Sequence, residues 1–395
     1  MVLTWDAETT TKHKGNPYTK SNRLISYAVQ SDDEKPSFHY YTDLEFTKAL
    51  KVQFEQAKWI VGFNLKFDLT WARRRGVQPP KGVRIWDCQI AEFLIRGQQG
   101  PYPSLNEALA RFELGTKDDK VAEYWALGID TQDIPVDELR FYNCLDVELT
   151  YKLYKAQTEY MLEHMPKVYR LCVIMGLDLL VLQEMEWNGL KLNVELCKEK
   201  AAETAKELEE VSDELFAYCP TTHINLGSGH QLSCFLYGGG YQIKYVESIE
   251  QLVYKSGAKK GQTHDRTNWA VEDVYCEQLF TPIKGSETKL VSKVGDKEYP
   301  VYATGEDILK QLKKPTRKHR RIIELLLKRA ELEKLLSTYY GAMPKLIEKM
   351  EWEDDTLHGQ LNQVVARTGR LSSSAPNQQN FSADVDELLV TRYDT

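Results

Sequence analysis

Acidic side chains at the end of the first β-prone run could hold a divalent metal ion. Asp6 and Glu8 stand two residues apart, so both point to the same face of a strand, and the β-prone residues before them supply the rigid mount that a metal site needs. Hard cations such as Mg²⁺ prefer oxygen ligands, and carboxylates supply both oxygen and charge. An ordinary polar strand end has the same appearance, so this pair alone leaves both interpretations open.

Two further acids follow polar residues at helical spacing. Asn64 lies at a predicted helix start, where it could cap the helix, and Asp68 comes one turn later. Tyr142 and Asp146 are four residues apart on another helical pattern, which stacks them on one face. In isolation, a capping Asn with a surface Asp explains the first pair. A half-buried Tyr beside a solvated acid explains the second.

Taken in order, the three segments resemble the exonuclease motifs of the DEDD superfamily, in its tyrosine-containing branch. The patterns are D-x-E at 6, N-x-x-x-D at 64 and Y-x-x-x-D at 142. The resemblance implies a ribonuclease-H-like α/β fold and hydrolysis of a phosphodiester with two divalent ions, Mg²⁺ or Mn²⁺. The residues that it implies as metal ligands are Asp6, Glu8, Asp68 and Asp146.

The same resemblance gives roles to three neighbours of these acids. Tyr142 is expected to orient the attacking water and so counts with the catalytic residues. Asn64 is expected to contact the substrate strand or to support the site. Asp87 follows another short apolar run and is either a support for the site or a helix N-cap.

Three later segments resemble family A DNA polymerases. Gln183–Leu190 is similar to the "MExxGv" segment that follows the exonuclease domain of that family, and Glu331–Tyr339 is similar to the thumb motif K-L-x-S-T-Y. The most specific match is Thr368–Asn380, which is similar to the T-G-R-L-S-S…P-N-x-Q-N signature that opens the palm. The DNA-binding residues implied are Lys334, Ser337, Thr338, Asn362, Gln363, Arg370 and Asn377, in addition to Asn64. For Asn362, Gln363 and Asn377 a role as local scaffold remains open.

Charge supports a DNA contact near the thumb motif. Residues 310–334 contain ten Lys and Arg against three Glu, although the whole chain has a net charge of −7. A basic stripe beside hydroxyl groups suits a phosphate backbone. A solvated helix face is the alternative. The overall acidity argues against a histone-like coat for nucleic acid.

Composition narrows the class of protein. The 395 residues are 42% hydrophobic and 28% charged, which excludes a disordered chain, and no apolar run approaches the ~18 residues of a spanning helix. The seven cysteines form no C-x-x-C pair, so we expect neither a zinc site nor a disulfide framework. The N-terminus does not resemble a signal peptide. A cytoplasmic location is therefore expected, in a host cell if a phage encodes the chain.

The elements that must position the candidate residues can be predicted in outline. The expected strands are 2–5, 24–30, 37–41 and 59–62, and the expected helices are 43–57, 65–75, 87–96 and 136–155. Residues 167–216 read as one or two long helices with a break at Asn188-Gly189, and a helical pattern returns at 317–351. Between them, 241–316 is predicted to be an insertion with strand content. Its lysines are Lys255, Lys259, Lys260, Lys284, Lys289, Lys293 and Lys297.

The sequence therefore predicts an α/β exonuclease domain at 1–160, a mostly α-helical thumb at 161–352 with a β-containing insertion, and the start of a palm at 353–395. The implied function is proofreading from the 3′ end and duplex binding during DNA replication, with single-stranded DNA and primer–template as partners. We expect nucleotide addition to need a second polypeptide with palm and fingers, as in a split, phage-like polymerase, or the remainder of a longer chain. A processivity factor could dock on the insertion. The alternatives are a ribonuclease of the DEDD branch and a non-catalytic DNA-binding subunit.

The second polypeptide is expected to bind the last segment for a physical reason. Apolar residues such as Phe381, Leu388 and Leu389 would lack partners if the strip 353–395 had to stand alone.

Overall fold

The structure, a computed structural model, describes residues 1–117, 120–253 and 262–391. It divides into two compact units, of which unit 1 comprises Met1–Cys197 with Met343–Thr395 and unit 2 comprises Lys198–Ala342. Three lysines of the predicted insertion, Lys255, Lys259 and Lys260, lie outside the described residues. The boundaries predicted at 160 and 352 concern functional segments, and they stay predictions.

A mixed sheet forms the centre of unit 1. Over residues 1–117 five strands are ordered β3-β2-β1-β4-β5, with β1 antiparallel to β2 and parallel to β4. The strands are β1 Val2–Thr9, β2 Leu24–Ser31, β3 Ser37–Tyr40, β4 Trp59–Gly62 and β5 Arg84–Asp87. The four strands predicted from β-prone runs are all present. The four-residue β5 was not predicted, because it reads as the lead-in to a helix.

Helices cover this sheet. They are α1 Phe46–Gln56, α2 Leu65–Arg74, α3 Cys88–Ile95, α4 Leu105–Arg111, α5 Lys120–Ala126, α6 Val136–His164 and α7 Pro166–Asn188. Trp5, Trp71 and Trp86 are almost fully buried between the sheet and these helices. Burying a large apolar side chain contributes roughly 1.5–3 kcal/mol, so these rings help to fix the strand ends beside them.

The predicted break in the long helical region is confirmed. The chain leaves α7 at Gly189, whose φ of 58° suits glycine. It then forms the short strand β6 Leu190–Lys191 and enters α8 Val194–Phe216, which crosses into unit 2.

A close packing contact fixes α7 against the sheet. Gly176 of α7 faces the backbone of Ile85 in β5, and a Cβ atom there would overlap the Ile85 carbonyl oxygen and lie 3.1 Å from its carbonyl carbon. Only glycine allows the two backbones to approach this closely.

Unit 2 contains a long β-hairpin and further helices. Its elements are α9 Gly229–Tyr237, β7 Gly238–Val253, β8 Thr263–Gln278, β9 Glu287–Val294, β10 Lys297–Tyr302, α10 Glu306–Gln311 and α11 Arg317–Lys334, which continues as a π-helical segment over Leu335–Tyr340. The strand content predicted for 241–316 is confirmed. Buried Tyr241, Ile243 and Val274 anchor the hairpin base in the core of this unit.

The C-terminal segment returns to unit 1. It contains α12 Ala342–Met350 and the short strands β11 Thr356–Leu357, β12 Gln360–Asn362 and β13 Ser372–Ser374, followed by 3-10 turns at Gln378–Asn380 and Ala383–Leu388. β11 pairs with β6, and β12 pairs with β13.

The expectation that apolar residues of this strip lack partners is wrong for Leu388 and Leu389. Leu388 is fully buried, and its carbonyl oxygen accepts a hydrogen bond from the Asn193 N–H. Leu389 forms a β-bridge with Leu192. The strip folds back on the turn after α7, which places these side chains against their own chain.

Among the residues that the structure describes, no helix has the length and apolar character needed to cross a bilayer.

Candidate metal-binding and active site

The acids predicted on the first strand lie at the centre of the sheet. Asp6 and Glu8 are on β1, opposite Ala28 and Ser26 of β2, and both carboxylates face a cleft of about 540 Å³. The lining of this cleft includes Asp6, Glu8, Thr10, Asn64, Phe67, Asp68, Lys117, Trp125 and Tyr142. The β1 strand pairs with β4 over Val2–Thr4 and with β2 from Leu3 to Thr9, so the acids extend from a strand that is fixed in the sheet and supports charged groups rigidly.

Three of the four predicted ligands form a compact cluster. One carboxylate oxygen each from Asp6, Glu8 and Asp146 lie within 4.8 Å of one another. Asp68 lines the same cleft and accepts a hydrogen bond from the Ala7 backbone N–H, but it is not part of the cluster. The fold thus gathers acids from β1, α2 and α6 that are up to 140 residues apart in sequence.

The electrostatics of the cluster favour a bound cation. Burial raises the pKa of Glu8 and of Asp68 well above the usual range, with repulsion from Asp6 as a further cause for both. Burial likewise raises the pKa of Asp146 to about 7. Carboxylates crowded in this way stay ionised only when positive charge is added.

The arrangement fits a hard divalent ion. The Oδ1 atom of Asp146 is buried and has no hydrogen-bond partner among the described residues, so it is available as a ligand. The ligand atoms that the carboxylates offer are all oxygen atoms, which Mg²⁺ and Mn²⁺ prefer. Asp6, Glu8 and Asp146 would hold such an ion, and Asp68 lines the same cleft.

Two neighbours on α6 orient the acids. The side-chain amide of Asn143 donates to Asp6 Oδ2 at 2.8 Å, and Asn143 is itself fully buried and accepts from Ser26 Oγ at 3.3 Å. Tyr142 is buried beside Asp146 and forms a hydrogen bond with its carboxylate. The role of Asn143 was not predicted, although the residue lies inside the third motif. Its position directly after the motif tyrosine was the one feature of the sequence from which a role at the site could have been predicted.

Asp87 organises the starts of two helices. Its carboxylate accepts from the N–H groups of Gln89 and Ile90 and so caps α3, which confirms the predicted N-cap. It also accepts from the N–H groups of Asn64 and Leu65, at 3.2 and 2.8 Å, at the start of α2.

The prediction that the Asn64 side chain caps α2 is wrong. Asn64 occupies the N-cap position with a left-handed φ of 60°, but its side chain makes no capping hydrogen bond. The Asp87 carboxylate satisfies the backbone donors there, which leaves the exposed Asn64 side chain facing the cleft.

Lys117 is a site residue that the sequence did not reveal. Its ammonium pairs with Asp146 Oδ2 and lies 4.4 Å from the centre of the Tyr142 ring. It also attracts the charges of Asp6 and Glu8, and it lowers their pKa values against the effect of burial. A single lysine in the segment after α4 matches none of the motifs, so sequence patterns carried no signal for it.

We expect Lys117 to stabilise the metal-free protein. Breaking a buried ion pair costs about 3 kcal/mol at the low end, so Lys117→Met should lower the melting temperature in EDTA by roughly 6–12 °C. Millimolar Mg²⁺ should remove most of this difference, because the ion replaces the lost charge. Differential scanning calorimetry with and without Mg²⁺ tests this.

The matched control is Lys155→Met. Lys155 pairs with Asp33 and lies 5.4 Å from the Tyr151 ring centre, but both charged side chains are more than half exposed. Exposed pairs contribute about 0–1 kcal/mol, so this variant should melt almost as the wild type does. If Lys117→Met and the wild type had the same melting temperature both in EDTA and in Mg²⁺, Lys117 would not stabilise the metal-free carboxylate cluster.

The predicted DNA-binding residues fall into two groups. Lys334, Ser337 and Thr338 are exposed near the end of α11 and in the π-helical segment of unit 2. In unit 1, Arg370 is exposed, whereas the amide of Gln363 donates to the Met175 carbonyl at 3.0 Å.

Asn362 and Asn377 also form internal hydrogen bonds. The Asn362 amide donates to Ser374 Oγ, and Asn377 Oδ1 accepts from the Gln379 N–H. These contacts agree with the scaffold interpretation for both residues and for Gln363.

The basic segment on α11 is partly neutralised within unit 2. Arg321 pairs with Glu214 through two nitrogen–oxygen contacts of 2.6 and 2.5 Å, and Lys328 lies 3.4 Å from Glu207. Arg317, Lys318 and Arg320 line a cleft beside this pair. The positive charge that remains for a ligand is therefore concentrated at the start of the helix.

Comparison with known proteins places the chain near one family. Residues 274–392 match the family model DNA polymerase family A. The match begins inside the segment predicted to be an insertion, so the later part of that segment aligns with the family. This stretch of the chain is therefore similar to DNA polymerase family A.

Several DNA polymerases I are similar along the sequence. That of Chloroflexus aurantiacus is 24% identical over 330 residues, which is 82% of this chain and 29% of that protein. The thermostable enzyme of Thermus filiformis is 28% identical over 51% of this chain and 17% of its own length. The chain thus spans less than a third of the length of these relatives.

A solved structure shares the fold. The POL domain of Pol1 from M. smegmatis, in complex with DNA primer–template and dNTP, aligns with a TM-score of 0.66 and 18% identity. The alignment covers 96% of this chain and 52% of that chain.

Proposed function

We propose that the chain is a metal-dependent 3′–5′ exonuclease joined to the DNA-binding thumb and first palm strip of a family A DNA polymerase. The observation that carries the proposal is the cluster of Asp6, Glu8 and Asp146 in a cleft that also contains Asp68 and Tyr142. The strand order with β1 at the centre agrees with a ribonuclease-H-like domain.

The protein side of the mechanism follows from this cleft. Two divalent ions, when bound, would activate a water and stabilise the charge that develops on the phosphate. Asp6 is held for this role by Asn143, and Asp146 by Tyr142. The Tyr142 hydroxyl is the group that would orient the attacking water, and the exposed Asn64 would contact the terminal nucleotide.

The test is digestion of end-labelled oligonucleotides by the purified chain. Single-stranded DNA should shorten from the 3′ end in Mg²⁺ or Mn²⁺ and remain intact in EDTA. An RNA strand of the same sequence distinguishes the ribonuclease alternative, which predicts faster loss of RNA. No digestion of either strand, with duplex binding retained, would favour the non-catalytic subunit.

DNA replication is the process we propose, as part of a nucleotidyltransferase that acts in the cytoplasm. The relatives are DNA polymerases I, and the matched segment includes the Thr368–Asn380 signature. Primer–template duplex is then the expected ligand of Arg370 and of the exposed group Lys334, Ser337 and Thr338. A split-polymerase partner and a phage origin stay predictions.

The hairpin in the insertion is the proposed site for a processivity factor. Its register places Val246 opposite Trp269, and these residues share a face with Val271 and Tyr275. All four are more than 40% exposed. Exposed apolar surface of this kind is typical of an interaction site. The insertion's Lys293 pairs with Glu298, which reduces the positive charge available for DNA there.

Shortening the hairpin tests this role. Tyr245 and Ala270 are paired, so residues 246–269 can be replaced by a short Gly/Ser turn while the buried base is kept. Digestion of single-stranded DNA should be unchanged. When the polypeptide that carries palm and fingers is added, the DNA strands synthesised on a primed template should be shorter than those made with the full-length chain. A full-length control with Thr at 246, 269 and 271 isolates the apolar face. Identical product lengths for all three chains would identify the hairpin as a tolerated insertion.

A further inference from the structure

A buried ion pair joins the helix that carries Asp68 to α7. Lys66 of α2 donates to Glu186 Oε1 at 2.5 Å, and their side chains are 18% and 7% exposed. A carboxylate buried to this degree is stable only if its oxygen atoms are paired and hydrogen-bonded. This pair is therefore a fixed connection, unlike an ion pair on the surface.

The same two side chains bind both backbone groups of one residue in the C-terminal strip. The Leu361 N–H donates to Glu186 Oε1 at 2.5 Å, and the Lys66 ammonium donates to the Leu361 carbonyl oxygen. The His358 ring nitrogen Nδ1 lies 2.9 Å from the Glu186 carbonyl oxygen. We call the contact of Lys66, Glu186 and Leu361 the joint. Leu361 of β12 pairs with Ser373 of β13, so the joint includes the hairpin that these two strands form.

The joint lies on the same helical turn as Asp68, which lines the metal-binding cleft. Lys66 precedes Asp68 by two residues in the first turn of α2. The start of that helix is held by Asp87 through Leu65, and Lys66 is the next residue to be fixed. The orientation of Asp68 thus depends on Asp87 from within the sheet and on Glu186 from α7.

We propose that Lys66 and Glu186 are positioning residues for the nuclease site, and that through Leu361 they couple the polymerase-like strip to Asp68. The inference rests on the proposed exonuclease function. Glu186 is the glutamate of the "MExxGv" segment. The resemblance in that segment implied no role for this side chain, and the inference gives it one. Neither residue touches the cleft, so both act through the placement of α2.

The test compares Glu186→Gln and Lys66→Met with a matched control, Glu184→Gln. Glu184 is also on α7 and pairs with Arg73 of α2, but its side chain is 53% exposed. Each chain is assayed for kcat and KM on single-stranded DNA, for Mn²⁺ affinity by electron paramagnetic resonance without DNA, and for melting temperature.

Loss of a group that orients a metal ligand typically lowers metal affinity or activity 10–100-fold. We therefore expect Glu186→Gln and Lys66→Met to lower kcat about 10-fold and to weaken Mn²⁺ binding, with KM within about 2-fold of wild type. Because the pair acts as one unit, the double variant should be no worse than the worse single variant. Glu184→Gln should behave as the wild type.

Unchanged kcat and Mn²⁺ affinity in folded Lys66→Met and Glu186→Gln would overturn the inference, even if their melting temperatures fell. If Glu186→Gln melts below the assay temperature, Lys66→Arg decides the matter, because it keeps the charge and should restore most of the kcat lost in Lys66→Met. A failure of that rescue would also overturn it. A wild-type chain that binds Mn²⁺ but digests nothing would refute the proposed function alone, and Mn²⁺ affinity would then test the joint. No Mn²⁺ binding by the wild type would refute both.

Discussion

The double variant Asp6→Ala, Glu8→Ala should lose at least three orders of magnitude of nuclease activity on single-stranded DNA in Mg²⁺. Both side chains lie on β1 and belong to the carboxylate cluster, so their removal leaves Asp146 of the cluster and Asp68 of the cleft as the remaining acids. Metal-assisted hydrolysis depends on this charge, and one hydrogen bond to a transition-state oxyanion is already worth about 10²–10³-fold. The measurement is the initial rate of release of labelled 3′ nucleotides.

Tyr142→Phe is the graded comparison for this experiment. It removes the hydroxyl near Asp146 but retains the buried ring and every carboxylate. Its loss should be at least tenfold smaller than that of the double variant, because only the orientation of water is affected. Full activity of Asp6→Ala, Glu8→Ala in a preparation free of host nucleases would exclude this cleft as the catalytic site.

The second large effect is on stability. Gly176→Val should destabilise unit 1 by about 4 kcal/mol or more, since the three nearest heavy atoms that its Cβ would meet belong to Ile85 and the closest is backbone. Replacing a helical glycine would otherwise be favourable by some tenths of a kcal/mol in helix propensity, so the steric term must decide the sign. Urea unfolding followed by tryptophan fluorescence reports on unit 1, because Trp269 alone among the eight tryptophans lies in unit 2.

A glycine with free space around it provides the control. A Cβ atom added at Gly305 would meet no heavy atom within 4 Å, and this glycine has no left-handed φ, so Gly305→Val should change stability by less than about 1 kcal/mol. Because Gly305 lies in unit 2, urea unfolding of both variants is also followed by far-UV circular dichroism, which reports on both units. If Gly176→Val were as stable as the wild type, α7 would have to sit further from β5 than the structure has it.

Local patterns predicted four of the five strands of the central sheet and its longer helices, but not the short helices α4 and α5. The strand at 59–62 is a continuous apolar run, the strand at 24–31 is rich in β-prone residues, and the break after α7 has the Asn-Gly signal of a turn. Strand β5 was missed because its four residues lead directly into the helix predicted at 87–96. Its last residue, Asp87, was nevertheless identified as either a helix N-cap or a support for the site.

Long-range contacts were beyond what a pattern could predict. The motifs identified Asp6 and Asp146 as candidates, but no spacing indicates that Lys117 pairs with Asp146 or that Asn143 holds Asp6. The burial of Leu388 was missed for the same reason, since its partner Asn193 lies almost two hundred residues earlier. These contacts are set by the tertiary fold, which brings together residues that are far apart in the sequence.

The division of unit 1 into two separate stretches of sequence has a consequence during protein synthesis. Its first stretch ends at Cys197, but the buried pair of Lys66 and Glu186 obtains its backbone partner only at Leu361. At roughly 5–20 residues per second, a ribosome needs on the order of 10–30 s to translate the intervening residues of unit 2. Throughout that interval the Lys66 ammonium and the Glu186 carboxylate lack the backbone carbonyl oxygen and N–H of Leu361 that bind them in the folded unit. We therefore expect the first stretch to depend on chaperones more than the rest of the nascent chain does. Unit 2 has a continuous sequence and can complete its own core during the same interval.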